Sequence, residues 1–429
     1  MSDRIVPSEA LPGLRVVPRG AAGFVHRLAR GAVLSRLRGL REGFLELRDG
    51  DEVLALGVQG SGLAARITVR DPAFWSDVAL GGSIGAAEAY MADFWEADDL
   101  VSVVRLVVRN ANVLTGVEGG LARLTMPLHR LLQAARRNTR GGSRRNIAAH
   151  YDLGNDFYAL FLDETLTYSC ALFERDDMTL AEASTAKYDR LCRKLDLRPG
   201  DRVLEIGTGW GGFALHAAGR YGCRVTTTTI SREQHELASR RVQEAGLADR
   251  VEVLLCDYRD LTGTFDKLVS IEMIEAVGHH YLDAYFRCVG ERLAPHGLAA
   301  LQAITIVDHA YEQQLRSADF IKRYVFPGSF LPSVAAISAS VARTTDLRLV
   351  HLEDLTPHYA RTLAAWRQRF LARANDVRRL GFPESFLRLW EYYLCYCEGA
   401  FRERYIGDAQ LLFAKPRCER APILPALAA

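Results

Sequence analysis

The chain has 429 residues, 49% of them hydrophobic and 25% charged, which is the composition of a well-packed globular protein and predicts two folding units. A formal net charge of +2 gives no signal for nucleic acid, and no apolar run reaches the about 18 residues that a membrane span needs. Eight cysteines in so long a chain, none of them in a CxxC pair, read as reduced thiols and not as a disulfide framework. Met1-Ser2-Asp3-Arg4 lacks the compact apolar core of a secretory signal, so a cytoplasmic protein is expected.

Residues 1–118 read as a small α+β module. Phe44-Leu45-Glu46-Leu47 and Val53-Leu54-Ala55-Leu56 flank Asp49-Gly50-Asp51, a hairpin signature, and Ala65 to Val69 reads as a third strand. A short helix is expected from Ala86 to Trp95, starting near Ser83 or Gly85, and a second from Leu100 to Val108. Residues 119–145 form a basic linker. From Gly119 to Tyr151 there is no acidic residue, while Arg123, Arg130, Arg136, Arg137, Arg140, Arg144 and Arg145 are present. Leu121, Leu124, Leu128 and Leu131 add helical spacing, so the stretch suits an anionic membrane surface, each arginine contributing about 1 kcal/mol there. The plainer reading of any one of these arginines is a solvated face.

From 146 to about 416 the pattern turns α/β. Strands are predicted at Arg202–Ile206, Arg224–Thr228, Val251–Leu255, Phe265–Ile271 and Ala299–Ile306. Helices are predicted at Phe213–Gly219 and Arg232–Ala245, the second with Ser231 as N-cap and Gln234 at the capping-box position. This alternation implies a parallel, doubly wound sheet, with residues 417–429 as a tail. Gly207-Thr208-Gly209-Trp210-Gly211-Gly212 leaves the first of these strands and enters a helix, the kind of turn that lets a nucleotide approach the backbone. A dinucleotide enzyme would want an acid at the end of the second strand, where this chain has Thr226-Thr227-Thr228-Thr229. Glu205-Ile206-Gly207-Thr208-Gly209-Trp210-Gly211 instead resembles the first motif of class I methyltransferases, which bind S-adenosylmethionine.

Further segments carry a more specific likeness. They are Asn146 to Tyr158, Thr167-Tyr168-Ser169-Cys170-Ala171, Ser270-Ile271-Glu272-Met273-Ile274-Glu275-Ala276-Val277-Gly278, Phe320 to Gly328, His358-Tyr359, and Tyr392 to Phe401. In this order they resemble the cyclopropane-fatty-acyl-phospholipid synthase family, with its mycolic-acid and plant relatives. The resemblance implies a class I methyltransferase, Rossmann-like doubly wound α/β sheet behind a smaller N-terminal α+β domain that is lipid- or membrane-associated. It also implies methylene transfer from S-adenosylmethionine to the cis double bond of an unsaturated phospholipid acyl chain at the inner face of the membrane. A homodimer stays open as an assembly.

Residue roles follow from the same resemblance. Tyr168 and Ser169 fall where the family contacts the methionine part of the cofactor. Glu205, Gly207, Thr208, Gly209, Trp210 and Gly211 line it, Thr229 and Gln234 stand at the ribose, and Tyr258 and Arg259 stand beside adenine. Cys170, Glu275 and Tyr359 match ligands of a bicarbonate ion that acts as general base. Gln302 stands where a histidine is expected; it can donate a hydrogen bond but cannot become a cation. Cys397 matches a cysteine once proposed as nucleophile, although this chemistry has no need of a thiolate. Singly, each has a plainer reading: a buried small residue for Cys170, a helix-start carboxylate for Glu275, a packing aromatic for Tyr359. Phe326, Tyr324, Trp366, Tyr392, Tyr393 and Phe401 are candidate walls against water. Two other products of the pattern are a 10-methylene acyl chain and a non-catalytic lipid-binding protein.

Overall fold

The computed structural model describes residues 19–112 and 153–423. The basic segment 119–145, with its arginines and leucines, lies outside the described residues. Among the described residues no helix is long and apolar enough to cross a membrane. The chain divides into two compact units, and the division is not linear: 317–327 and 363–405 group with the N-terminal region, while 153–316, 328–362 and 406–423 form the other unit.

The first unit opens with helix α1 (Arg19–Leu37), followed by strands β1 (Phe44–Asp49), β2 (Glu52–Gly57) and β3 (Ala64–Val69), helix α2 (Ala73–Met91), strand β4 (Trp95–Ala97) and helix α3 (Leu100–Arg109). Its sheet has the order β2-β1-β3-β4, and β1 pairs β2 antiparallel in the expected hairpin register, Asp49 opposite Glu52. The helix expected from Ala86 to Trp95 begins earlier, at Ala73, and breaks at Gly82, whose φ of 57° lies in the left-handed region. Trp95 belongs to β4, not to that helix.

Helix α3 buries Leu100, Val101, Val103, Val104 and Leu106, and the Asp99 side chain caps its start by accepting from Val101 N. The helix Glu384–Arg402 packs on it at Gly399, where a Cβ would come within 2.7 Å of Val104 Cγ1. Arg105 and Arg109 both pair with Glu403, at 2.6 and 2.7 Å, and Arg388 lies over the Tyr90 ring. These contacts explain why a late stretch of sequence, expected within a continuous 146–416 domain, groups with the first unit.

In the second unit, helix α4 (Leu180–Lys194) precedes β5 (Arg202–Ile206), α5 (Gly212–Tyr221), β6 (Arg224–Thr229), α6 (Arg232–Glu244), β7 (Val251–Leu255), β8 (Phe265–Ile271), α7 (Leu282–Arg292), β9 (Leu293–Ile306), α8 (Val334–Thr344), β10 (Arg348–Asp354) and β11 (Ile406–Ala414). The seven-stranded sheet has the order β10-β11-β9-β8-β5-β6-β7. Strands β5 to β9 are parallel, as predicted, and β11 and β10 extend the β9 edge antiparallel. Alternation along β5 sends Leu204 into one apolar cluster, with Leu268 and Phe286, and Val203 into another, with Phe213 and Val225. The order reverses at β5, with β6 and β7 on one side and β8 and β9 on the other, so the crevice outside the carboxyl ends of β5 and β8 is the place for a ligand.

Candidate active site

The glycine turn leaves β5 at that crevice. Gly207, Gly209 and Gly211 have φ of 103°, 51° and 86°, which other residues adopt only at a cost. A Cβ on Gly209 would meet nothing within 4 Å, whereas one on Gly212 would stand 2.5 Å from the Tyr188 hydroxyl. Gly209 thus faces open space that suits a ligand, and Gly212 serves close packing against α4.

Beneath the turn, Thr227 Oγ1 donates to Glu205 Oε2 at 2.6 Å and lies 2.7 Å from Thr208 Oγ1. Burial pushes the Glu205 carboxyl up to about 8, although the Thr227 bond and Lys187 oppose this. Trp210 is buried; its Nε1 donates to Asn155 Oδ1 at 2.7 Å, and its carbonyl accepts from Arg241 Nη1 at 2.6 Å. Arg241 also holds the Thr165 carbonyl, tying the turn to the segment before Tyr168. Ser231 caps α6 at Gln234 N, but the Gln234 side chain does not close the box. Its Oε1 accepts from Thr229 Oγ1 at 2.8 Å. After β7, Arg259 pairs with Asp257 at 2.6 Å and lies over the Tyr258 ring. Tyr168 is half-buried against Tyr158, and Ser169 accepts from the buried Lys187 Nζ at 2.7 Å. Hydrogen bonds thus tie Glu205, Thr208 and Trp210 to the turn, while Thr229 ends β6 and Tyr258 and Arg259 follow β7, an arrangement with which S-adenosylmethionine is compatible.

Beside it, at the end of β8, lies a polar cluster centred on a half-buried residue that sequence reasoning left without a role, Glu272. Its Oε1 accepts from Cys170 N and from Gln302 Nε2, each at 2.8 Å, and its Oε2 accepts from the Tyr359 hydroxyl at 2.6 Å. Its φ of 48° places a non-glycine residue in the left-handed region. Burial pushes its carboxyl up, while Tyr359, Lys187, Cys170 N and Gln302 pull it down. Gln302 cannot turn its amide round. Its Oε1 accepts from Gln410 Nε2 at 3.0 Å, and Gln410 Oε1 accepts from Lys194 Nζ at 2.7 Å.

Glu275 is separate from this knot of donors. Its Oε1 accepts from Ile304 N at 2.5 Å, and its buried Oε2 has no hydrogen-bond partner among the described residues. Burial, then the charge of Glu272, pushes it up to about 8, so it is largely protonated at neutral pH. Asp408 on β11 is fully buried, and burial with the charges of Glu272 and Glu275 raises it well above the carboxylate range. The Cys170 thiol is raised well above its ordinary value, first by burial and then by Asp408, so it stays protonated. Lys187 is pulled down by burial to about 8.

Cys397 lies on the helix Glu384–Arg402 in the first unit, and burial raises its thiol too, against any thiolate role. Phe326, Tyr324, Trp366, Tyr392, Tyr393 and Phe401 also belong to the first unit, where Phe326 packs on Tyr393 and Tyr324 donates to Glu88.

A family model described as mycolic acid cyclopropane synthetase matches residues 138–411. The chain is 39% identical over 418 residues to a tuberculostearic acid methyltransferase, UfaA1, of Mycobacterium tuberculosis, covering 94% of this chain and 95% of that one. It is 37% identical over 362 residues to the cyclopropane-fatty-acyl-phospholipid synthase of Escherichia coli, covering 84% of this chain and 90% of that one. Among solved structures, the mycolic acid cyclopropane synthase CmaA1 in complex with SAH and CTAB aligns with a TM-score of 0.60 at 34% identity, over 63% of this chain and 98% of that one.

Proposed function

This chain belongs to the mycolic acid cyclopropane synthetase family, and from that premise we propose that it transfers one carbon from S-adenosylmethionine to the cis double bond of an unsaturated phospholipid acyl chain, closing a cyclopropane ring. The observation that carries the reading is the cluster in which the half-buried Glu272 meets the buried Tyr359, Gln302 and Cys170 beside the glycine turn. When bound, S-adenosylmethionine supplies an electrophilic methyl group on a sulfonium. Gly207 and Gly209 would let the backbone approach it, Gln234 and Thr229 would hold its ribose, Tyr258 and Arg259 its base, and Tyr168 and Ser169 its methionine end.

The alkene is a weak nucleophile; its attack on the methyl breaks the sulfur–methyl bond, releases the thioether S-adenosylhomocysteine and leaves a cation on the neighbouring carbon. The chain's own groups must then exclude water and take one proton from the new methyl. The electron pair of that C–H bond closes the ring, and the released proton goes to the base. A protein without turnover would gain nothing from keeping several carboxyl groups buried together, since each costs stability unless paired.

The bicarbonate expected as that base does not fit. The donors assigned to it, Tyr359, Gln302 and the amide of Cys170, all end on Glu272. A second anion beside Glu272 would meet like charge in a buried site. No step here runs through bicarbonate.

A second reading has its own support. The similarity to the tuberculostearic acid methyltransferase runs over 94% of the chain, which supports a branched product: a hydride moves from the methyl-bearing carbon to the cationic neighbour, and the new methyl then loses a proton to give a methylene branch without ring closure. Incubation with S-adenosylmethionine and dioleoyl phosphatidylglycerol vesicles, followed by mass spectrometry and proton NMR of the acyl chains, tests both. A gain of one CH2 with loss of olefinic signal supports the ring, and the same gain with terminal-methylene signals supports the branch. Unaltered acyl chains from protein that binds the cofactor would overturn the proposal.

A further inference from the structure

We propose that Glu272 is the general base of this enzyme, a carboxylate built into the chain where the family's pattern implies a bound bicarbonate. The inference rests on the proposed alkene methyl transfer and says which group takes the proton.

Three observations converge on it. First, the three donors that would hold a small oxyanion are spent on one side chain, two on Oε1 and one on Oε2. A carboxylate and a bicarbonate present the same pair of oxygens on a planar carbon, so Glu272 satisfies a site shaped for either. Second, these donors hold an anion without a counter-ion in contact. Among the described residues no basic side chain pairs directly with Glu272; the buried Lys187, whose charge favours the ionised carboxylate, gives its hydrogen bond to Ser169. A carboxylate locked to an arginine would be a poor base, whereas one held by neutral donors and opposed by burial keeps its affinity for a proton. Third, the backbone is strained to put it there. A non-glycine residue in the left-handed region is strained, and such strain persists where the surrounding structure over-determines it. Gln302 clamps Glu272 from both ends, its carbonyl accepting from Glu272 N at 2.8 Å and its amide donating to the carboxylate.

The substitution at Gln302 then has a reason. A histidine cation would pair with Glu272 and lower its basicity; a glutamine, its amide fixed by Gln410 and Lys194, donates and adds no charge. Burial raises Glu275 and Asp408 as it raises Glu272, but Glu272 alone of the three receives the donors of Cys170 N, Gln302 and Tyr359, which hold its ionised form. In the step itself, the C–H bond of the transferred methyl breaks, its electrons form the carbon–carbon bond, and the proton moves to a Glu272 oxygen, to be lost to solvent after product leaves.

The test uses the full chain with S-adenosylmethionine and dioleoyl phosphatidylglycerol vesicles, in buffer stripped of carbon dioxide and in the same buffer with added bicarbonate. The wild type should turn over equally in both. Glu272→Gln, which keeps size and hydrogen bonding, should lose about a hundredfold in turnover while its cofactor Kd stays within a factor of a few. Glu272→Ala opens the space, and added bicarbonate or formate should restore part of its activity. A wild type that stops in stripped buffer and recovers with bicarbonate would overturn the assignment and leave the function standing. So would Glu272→Gln at wild-type turnover, a result that needs no folding control. A wild type that modifies no acyl chain in either buffer would overturn the underlying function and this inference with it.

Discussion

Replacing Tyr359 with Phe removes one hydroxyl, 2.6 Å from Glu272 Oε2, and leaves a ring of the same shape in a buried position. A hydrogen bond to a charged acceptor contributes about 1.5–3 kcal/mol. Since about 1.36 kcal/mol moves a pKa by one unit, the Glu272 carboxyl should hold its proton about one to two pH units further up. The base works deprotonated, so the acid limb of the pH–rate profile should move to higher pH, and activity lost at low pH should return as pH rises. The groups facing Glu272 are Lys187 on α4, Cys170 and its amide, Gln302 on β9, Tyr359, Glu275 and Asp408 on β11. Lys187 and Glu275 titrate at about 8, so the limb should be read below that value. Single-turnover transfer of radiolabelled methyl to phospholipid vesicles, with cofactor Kd measured in parallel, gives the profile. An equal loss at every pH, with the limb unmoved, would refute the role given to the hydroxyl.

Gly212→Ala should lower thermal stability by about 1–3 kcal/mol, because its Cβ would stand 2.5 Å from the Tyr188 hydroxyl; an unchanged melting temperature would contradict this packing. Glu205 has its folded pKa raised from 4.5 to about 8, so the native state holds a proton that the unfolded chain releases. Its contribution is present below about 4.5 and is lost as pH rises through 8. Glu205→Gln should therefore gain in stability relative to wild type across that window in urea unfolding, and a difference independent of pH would sink the argument. Arg241→Met frees the Trp210 and Thr165 carbonyls, and calorimetry should find S-adenosylmethionine binding weakened about tenfold, as for the loss of about 1.4 kcal/mol. Binding as tight as in the wild type would show that Arg241 does not shape the turn.

The parallel half of the sheet was legible because its strands are apolar runs, or in β6 a run of β-branched threonines, that alternate with capped helices and turns. The β5 glycine turn was legible too, since the required φ values leave few alternatives to glycine. Strands β10 and β11 were not. β10 is an edge strand with alternate exposed positions, and β11 breaks its apolar run with Asp408 and Gln410. Those two buried polar residues bear on the site: Gln410 orients Gln302, and Asp408 lies close enough to Glu272 for that charge to help raise its carboxyl. The glutamine at 302 was visible, and its donor role was expected, but its acceptor was not. Glu272 stood three residues before Glu275 in a segment singled out for its resemblance. The available signal was the pairing of an extra acid with the loss of a histidine, and only folding brings β8 and β9 together to show it.

The central claim, carbon transfer to an acyl double bond followed by proton removal from the transferred methyl, is tested most directly with S-adenosylmethionine carrying a trideuterated methyl. Mass spectrometry of the phospholipid acyl chains should find a carbon added with two of its three deuteriums retained, whether the product is a ring or a branch. Retention of all three would contradict the account, because no base would have acted on that methyl.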